Sequence, residues 1–267
     1  MSIKEKKEML LMKFKKVISA LLLSVALFGG GLAHPQSVDA ALSKKQAISI
    51  IKKEEQTSTS SQTDQISTTK YRKQKTTIKT KSIFNSQAGV LHSISTAKSG
   101  KKTQQLDEWV DLNSKRIYSI QDGKWQYDKL PDYLVKELNN LKNGKSLQKF
   151  NKSIYQEMSK KAKITSKNGT YTVKGTLKGQ KMLDAMLKLM GSNKVDTSYL
   201  HKNFKFSKCT FVYTIKDQKI IDSKYALKAT LAKSTQVAVK MRKSHFGQFD
   251  TLTLPDEVKN ATAASLK

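Results

Sequence analysis

The stretch "EWVDLNSKRIYSIQDGKWQY", Glu108–Tyr127, contains both tryptophans of a 267-residue chain that is otherwise rich in lysine, serine and threonine. Its Asp122-Gly123 pair is a favoured two-residue hairpin turn, because both residues tolerate the left-handed backbone such a turn needs. The turn predicts two antiparallel strands. Their register pairs Tyr118 with Tyr127 and Ile120 with Trp125.

A third strand precedes this hairpin if Asn113-Ser114 is also a two-residue turn, although Asn-Ser is a weaker turn sequence than Asp-Gly. That register pairs Trp109 with Tyr118 and Val110 with Ile117. It also places Asp111 opposite Arg116, a favourable cross-strand charge pair.

The three strands would present an aromatic row on one face, made of Trp109, Tyr118, Ile120, Trp125 and Tyr127. The other face would also be apolar, with Leu106, Val110, Leu112 and Ile117. Since an antiparallel sheet usually keeps one face wet, two apolar faces require a second layer on each side. The row is therefore either ordinary core under other elements, which is the commoner case, or the wall of a ligand cavity.

The remaining chain alternates between helical and strand patterns. Five helices are predicted, at 41–55, at 131–141, after Gly144, at 180–190 and from Pro255. The first has Ala47, Ile48 and Ile51 on one face, and the second has Leu134, Leu138 and Leu141. The third has a stripe of Leu147, Phe150, Ile154 and Met158. Residues 56–69 read as a loop or the start of the first strand. Strands are predicted through the region 70–121, in an Asn-Gly hairpin that pairs Ser166 with Tyr171 and Ile164 with Val173, and at 209–215, 219–232 and 235–243. This order predicts one α+β domain over 41–267, with helices on one face of an antiparallel sheet.

Three of the mature chain's methionines, Met182, Met186 and Met190, fall on one stripe of the helix at 180–190. Methionine adapts its shape and is common on surfaces that accept variable apolar ligands. A helix that covers a sheet also needs an apolar stripe, so plain core packing stays open beside a ligand cavity.

Residues 1–40 have the features of a secretory signal peptide. Lysines precede the apolar run Val17–Phe28, and Val38 and Ala40 match the small residues before a cleavage site. A retained anchor is the alternative, but a spanning helix needs about 20 apolar residues. We therefore expect a secreted protein, cleaved after about Ala40 and either released or held at the cell wall.

Cleavage would remove six lysines and three acidic residues, so the net charge would fall from +29 to +26. Such a charge attracts anionic wall polymers or lipid head groups, or it serves only to keep the protein soluble. The second interpretation is favoured by the lysines, which are spread along the chain and do not form one run. No nucleic-acid-reading motif is present, and no nucleic-acid partner is expected.

Catalytic motifs are missing from the sequence. His92, His201 and His245 are isolated, no metal-ligand spacing occurs, and Cys209 alternates with Phe211 and Tyr213 like a small core residue. The sequence predicts no enzyme activity, no catalytic or metal site and no cofactor.

With "EWVDLNSKRIYSIQDGKWQY" between an N-terminal helix and central helices, and with "LTLPDEVKNA" near its end, the chain resembles an uncharacterised family of exported proteins of Gram-positive bacteria. That family is similar to lipoprotein carriers and lipid-binding proteins of the LolA/LppX type. The resemblance implies a strongly curved, open half-barrel sheet with helices over its concave face and an apolar cavity between them. The cavity would fall to the aromatic row and the Met182 helix. Many relatives carry a lipid-modified N-terminal cysteine, which this sequence lacks.

The sequence thus predicts a secreted, monomeric, non-enzymatic protein that holds a lipid or other amphiphile. The alternative is a basic surface or wall protein that attaches to anionic polymers through its charge alone.

Overall fold

The computed structural model describes residues 42–132, 135, 145–178, 204–231 and 234–264. Its strands are β1 Ser60–Tyr71, β2 Gln74–Asn85, β3 Val90–Ser99, β4 Lys102–Asp111, β5 Arg116–Gln121, β6 Lys124–Lys129, β7 Lys163–Lys167, β8 Thr170–Lys178, β9 Phe204–Lys216, β10 Lys219–Leu231, β11 Thr235–Ser244 and β12 Thr262–Ala263. Its helices are α1 Lys44–Thr57, α2 Lys145–Lys161 and α3 Asp256–Lys259. The predicted leucine stripe of Leu134, Leu138 and Leu141 and the predicted helix at 180–190 lie outside the described residues.

The strands form one open sheet in the order β12-β6-β5-β4-β3-β2-β1-β11-β10-β9-β8-β7. All neighbours are antiparallel except β12 and β6, which run parallel. The predicted α+β half-barrel is confirmed. The polar segment 56–69 supplies most of β1 instead of a loop, because β1 lies between two neighbours that satisfy its backbone.

The register of the opening stretch is as predicted. Tyr118 lies opposite Tyr127, Ile120 opposite Trp125, Trp109 opposite Tyr118, Val110 opposite Ile117 and Asp111 opposite Arg116. At the Asp-Gly turn, Asp122 and Gly123 have φ values of 51° and 76°, as the favoured hairpin turn requires. The hairpin at 166–171 also has the predicted pairing.

The predicted two-residue turn at Asn113-Ser114 is wrong. The ladder ends at Asp111 and Arg116, so four residues form the loop, and Lys115 takes the left-handed φ of 56°. The side chain of Asp111 accepts the Asn113 backbone N–H, which favours a turn that starts early. The register survives because a four-residue loop keeps the same residues opposite each other.

Helices α1 and α2 cover the sheet at β8–β10. The Ser43 and Gln46 side chains each accept the other's backbone N–H, a capping box that sets where α1 begins. The predicted face of α1 packs into the main core together with Met158 of α2. The sheet contributes buried side chains to this core, among them Val173, Phe211, Tyr213, Ile215 and Leu227.

Residues directly opposite each other on neighbouring strands point to the same side of a sheet, which defines two faces here. The helix face carries Phe211, which lies opposite Tyr225, and through β11 and β1 it continues to Gln65. We call the other side the lysine face. It runs from Val212 through Lys224, Arg242, Asp64, Lys81 and Ile94 to Asp107.

Candidate ligand-binding surfaces

The aromatic row lies on the lysine face, because Trp109 is two residues from Asp107 on the same strand. Trp109 and Tyr118 are buried and Trp125 and Tyr127 are half-buried, whereas Ile120 is 49% exposed. The C-terminal segment covers the row. A small core there joins the aromatic rings to Val90, Leu252, Leu254, Val258 and Ala261.

Polar partners fix two rings of the row. The His92 ring stacks on Trp109 with centroids 4.1 Å apart, and its Nε2 lies 2.8 Å from Asp107 Oδ1. The Arg116 guanidinium sits 4.0 Å from the Tyr127 ring centroid. The row is therefore covered by the C-terminal segment, and polar side chains contact two of its rings.

The sheet separates the row from α1 and α2, which pack on the helix face. The structure thus brings five of the predicted site residues together, but on the side away from these helices. Met182, Met186 and Met190 lie outside the described residues. The ligand-binding role of all eight residues stays a prediction.

The middle of the helix face is rich in hydroxyl groups. Thr63, Gln65 and Ser67 of β1 are buried there, and Gln65 Nε2 donates to Ser67 Oγ at 2.9 Å. Next to them, Thr80 and Ser95 share a 2.9 Å hydrogen bond between β2 and β3. The apolar part of this face is thus concentrated at β8–β11, and a cavity along β1–β3 would have a polar wall.

A buried carboxylate ties the helices to the apolar part of the helix face. Glu55 of α1 is 8% exposed and accepts hydrogen bonds from the hydroxyls of Tyr213, at 2.7 Å, and Tyr225, at 2.9 Å. Tyr155 of α2 donates a third. Burial, together with the Glu55 charge, raises the pKa of all three tyrosines.

Among the described strands β1–β3 and β7–β11, Lys243 is the only lysine on the helix face. Its side chain is buried, with 3% exposed. Burial lowers the pKa of its ammonium to about 8, although the nearby Glu55 charge opposes that shift. The cluster of Glu55, the three tyrosines and Lys243 was not predicted from the sequence. The position of Glu55 was a usable sign, since it continues the apolar face of α1 at Ala47, Ile48 and Ile51.

The other cations of these strands gather on the lysine face. Exposed residues there include Lys70, Lys75, Lys79, Lys81, Lys98, Lys163, Lys167, Lys174, Lys208, Lys224, Lys228, Lys240 and Arg242. Asp64 and Asp222 are the only carboxylates on this face of the same described strands. The lysines that are scattered along the sequence therefore form one strongly cationic surface.

A groove with a volume of about 620 Å³ crosses this surface from β3 to β9. Its floor is apolar: Ile66 is 42% exposed, and Ile94, Val212 and Ala226 are half-buried. Its cationic side chains are Lys79, Lys81, Lys224, Lys240 and Arg242.

Only part of that positive charge is neutralised. Asp222 forms ion pairs with Lys224, at 3.1 Å, and with Arg242. No described residue forms an ion pair with Lys79, Lys81 or Lys240. Ile66 lies directly between Lys79 and Lys240 across the strands, so an apolar contact and free ammonium groups are adjacent. The groove was not predicted from the sequence either, because its walls come from six strands whose order only the fold determines.

Other chemistry finds little support in the described part of the chain. Burial raises the pKa of the Cys209 thiol to about 12, so it stays protonated at neutral pH. The described residues contain no group of three His, Cys, Asp or Glu side chains that could hold a metal ion. None of the described helices is both long and apolar enough to cross a membrane.

No family model matches the chain, and no curated protein does. Among solved structures, it is similar to LprF from Mycobacterium bovis, with 11% identity, a TM-score of 0.42, and coverage of 84% of this chain and 99% of LprF. A structure of lipid–protein interactions in lipovitellin has 9% identity and a TM-score of 0.31, covering 69% of this chain and 24% of that one. A β-barrel-like DUF1849 protein from Brucella abortus has 8% identity and a TM-score of 0.26, with coverage of 68% and 95%. All three TM-scores are below 0.5, so these similarities do not establish what the protein does.

Proposed function

We propose that this protein is exported after removal of residues 1–40 and that it binds an amphiphile with an anionic head group without changing it chemically. The groove on the lysine face carries the proposal. An apolar floor takes the tail, and the ammonium groups of Lys79, Lys81 and Lys240 take the head.

Each half of this site offers favourable contacts to a different part of an amphiphile. Ile66 exposes apolar surface whose removal from water is favourable by about 25 cal/mol per Å². The unpaired ammonium groups can each gain charge-assisted hydrogen bonds to a phosphate or carboxylate. An amphiphile satisfies both requirements at once, whereas a simple anion would leave the floor exposed.

The test is the binding of a monomeric fatty acid to residues 41–267, measured by calorimetry, with Ile66→Ser as the variant. Covering a side chain that is 42% exposed contributes about 1 kcal/mol, so we expect Kd to rise roughly fivefold. Ile221→Ser is the matched control, because Ile221 is 46% exposed and lies outside the groove.

Equal effects of the two variants would contradict the groove as the binding site. Binding that disappears in high salt and ignores Ile66→Ser would instead support the second candidate, attachment to anionic polymers through charge, which the cationic surface favours. If Ile66→Ser weakens binding as expected, native mass spectrometry of protein purified from its own culture medium would identify the class of amphiphile that it retains.

A further inference from the structure

We propose that the lysine face is a docking surface for an anionic lipid bilayer, on which the ammonium groups bind phosphate head groups. This goes beyond the proposed function, since it concerns the whole surface around the groove and the partner it meets. Three features of the lysine face favour a bilayer: its one-sided charge, its exposed apolar centre and its size.

The distribution of charge is one-sided. Between β7 and β3 the lysine face has many exposed cations and two carboxylates, one of which, Asp222, is 8% exposed and is already paired. The helix face of the same strands has the single, buried Lys243. Charges on one side of a sheet add their fields at a partner that faces that side, as far as they lie within one Debye length of it, about 10 Å in 0.1 M salt.

The centre of the face favours a bilayer over a soluble polyanion. Ile66 is 42% exposed between Lys79 and Lys240. A polymer of phosphates offers nothing to this side chain, whereas the interface of a bilayer accepts apolar groups among its head groups. The lysine stems add apolar contact while their ammonium groups stay at the phosphates.

The width of the lysine face also favours a membrane over a linear polymer. Eight neighbouring strands, from β7 to β3, extend over roughly 34 Å along the curve of the sheet, at a spacing of about 4.8 Å. The exposed cations extend across this width from Lys163 on β7 to Lys98 on β3, so a single linear polymer would contact only some of them. Docking would also turn the groove mouth toward the bilayer, because the groove opens on the same face.

The experiment measures sedimentation of residues 41–267 with vesicles of equimolar phosphatidylglycerol and phosphatidylcholine, in about 0.1 M salt. The test variant changes Lys75, Lys98, Lys208 and Lys228 to Gln, all on the lysine face and outside the groove. Each basic residue near such a surface contributes roughly fivefold to partitioning, so we expect the four changes together to cause a loss of roughly 600-fold.

The control variant loses the same charge from the opposite side, through Gln at the exposed helix residues Lys45, Lys53, Lys152 and Lys160. It should retain binding within a few-fold. Equal losses in the two variants, or equal binding to vesicles of phosphatidylcholine alone, would overturn the proposal.

A second arm separates a bilayer from a polyanion. Soluble polyphosphate at equal phosphate concentration should bind less tightly than the anionic vesicles. Ile66→Ser should weaken binding to the vesicles but not to polyphosphate. Tighter binding of polyphosphate, with no effect of Ile66→Ser on the vesicles, would overturn a bilayer as the partner. The lysine-face variant should still bind fatty acid like the unchanged protein, so failure of docking and failure of the groove are told apart.

Discussion

Removing one hydroxyl group, by Tyr213→Phe, tests the buried cluster around Glu55. The Tyr213 side chain is 1% exposed and its hydroxyl lies 2.7 Å from the Glu55 carboxylate. Its ring packs on Phe211 and Tyr225, at centroid distances of 6.1 and 5.7 Å, and phenylalanine keeps those contacts. A hydrogen bond to a charged group contributes about 1.5–3 kcal/mol, and the Tyr225 hydroxyl also loses a partner.

We expect Tyr213→Phe to lower the free energy of unfolding by about 2 kcal/mol, measured by urea denaturation followed by circular dichroism. Glu55→Gln should cost more, about 3 kcal/mol, because it leaves three tyrosine hydroxyls facing an amide that accepts poorly and donates in their direction. The double variant should be less destabilised than the sum, by about 1.5 kcal/mol, since both changes remove the same bond.

Tyr71→Phe is the control, because Tyr71 is 43% exposed at the end of β1, and it should change stability by less than about 0.5 kcal/mol. A Tyr213→Phe effect as small as the control's, or strict additivity with Glu55→Gln, would refute the hydrogen bond that the structure shows. Either result would mean that the Tyr213 hydroxyl does not help to hold α1 on the sheet.

Three further predictions concern the core and the aromatic row. Burial lowers the pKa of Lys243 from 10.5 to about 8, so the folded state loses this proton at a lower pH than the unfolded state. The free energy of unfolding, relative to that of Lys243→Met, should therefore rise by about 3 kcal/mol between pH 8 and 10.5. If denaturation experiments show that the difference between the two proteins does not change with pH, the burial of Lys243 is contradicted. Gly175→Ala should destabilise by about 1–3 kcal/mol, because its Cβ would lie 2.2 Å from the Phe211 ring, and Phe211→Leu in the same chain should restore part of that loss in thermal unfolding. Trp125→Ala should lower stability but leave fatty-acid affinity, measured by calorimetry, unchanged, because Trp125 packs in the core under the C-terminal segment and lies outside the groove; a loss of affinity would instead place the ligand at the aromatic row.

Local chemistry made much of the fold predictable. The Asp122-Gly123 turn fixed a register that carried the pairing across three strands, and the Asn168-Gly169 turn did the same for β7 and β8. Such turns admit few backbone conformations, and a slip by one residue would move every apolar side chain to the wrong face. The loop after Asp111 was mispredicted, because a side-chain hydrogen bond competed with the short turn.

The candidate site was less predictable, because it depends on which strands become neighbours. The aromatic row was predicted as a row, yet its cover is a segment more than 120 residues further along the chain, at Leu252–Ala261. No local rule says which element covers a given face. The sequence pattern indicates a ligand cavity at the row and the Met182 helix, and it gives no sign of the groove between β3 and β9.

By itself, the sequence determined that the strands have one apolar and one basic side, since lysines alternate with Val, Leu and Tyr in segments such as Lys224–Lys228 and Val237–Arg242. Only the tertiary structure decided that these sides join into a single cationic face. In the sequence the same lysines look dispersed, because the chain leaves β3 at Ser99 and returns to this part of the sheet at Lys163. The order of strands is set by long-range packing and hydrogen bonding, and that order places Lys79 and Lys240, 161 residues apart, on either side of Ile66.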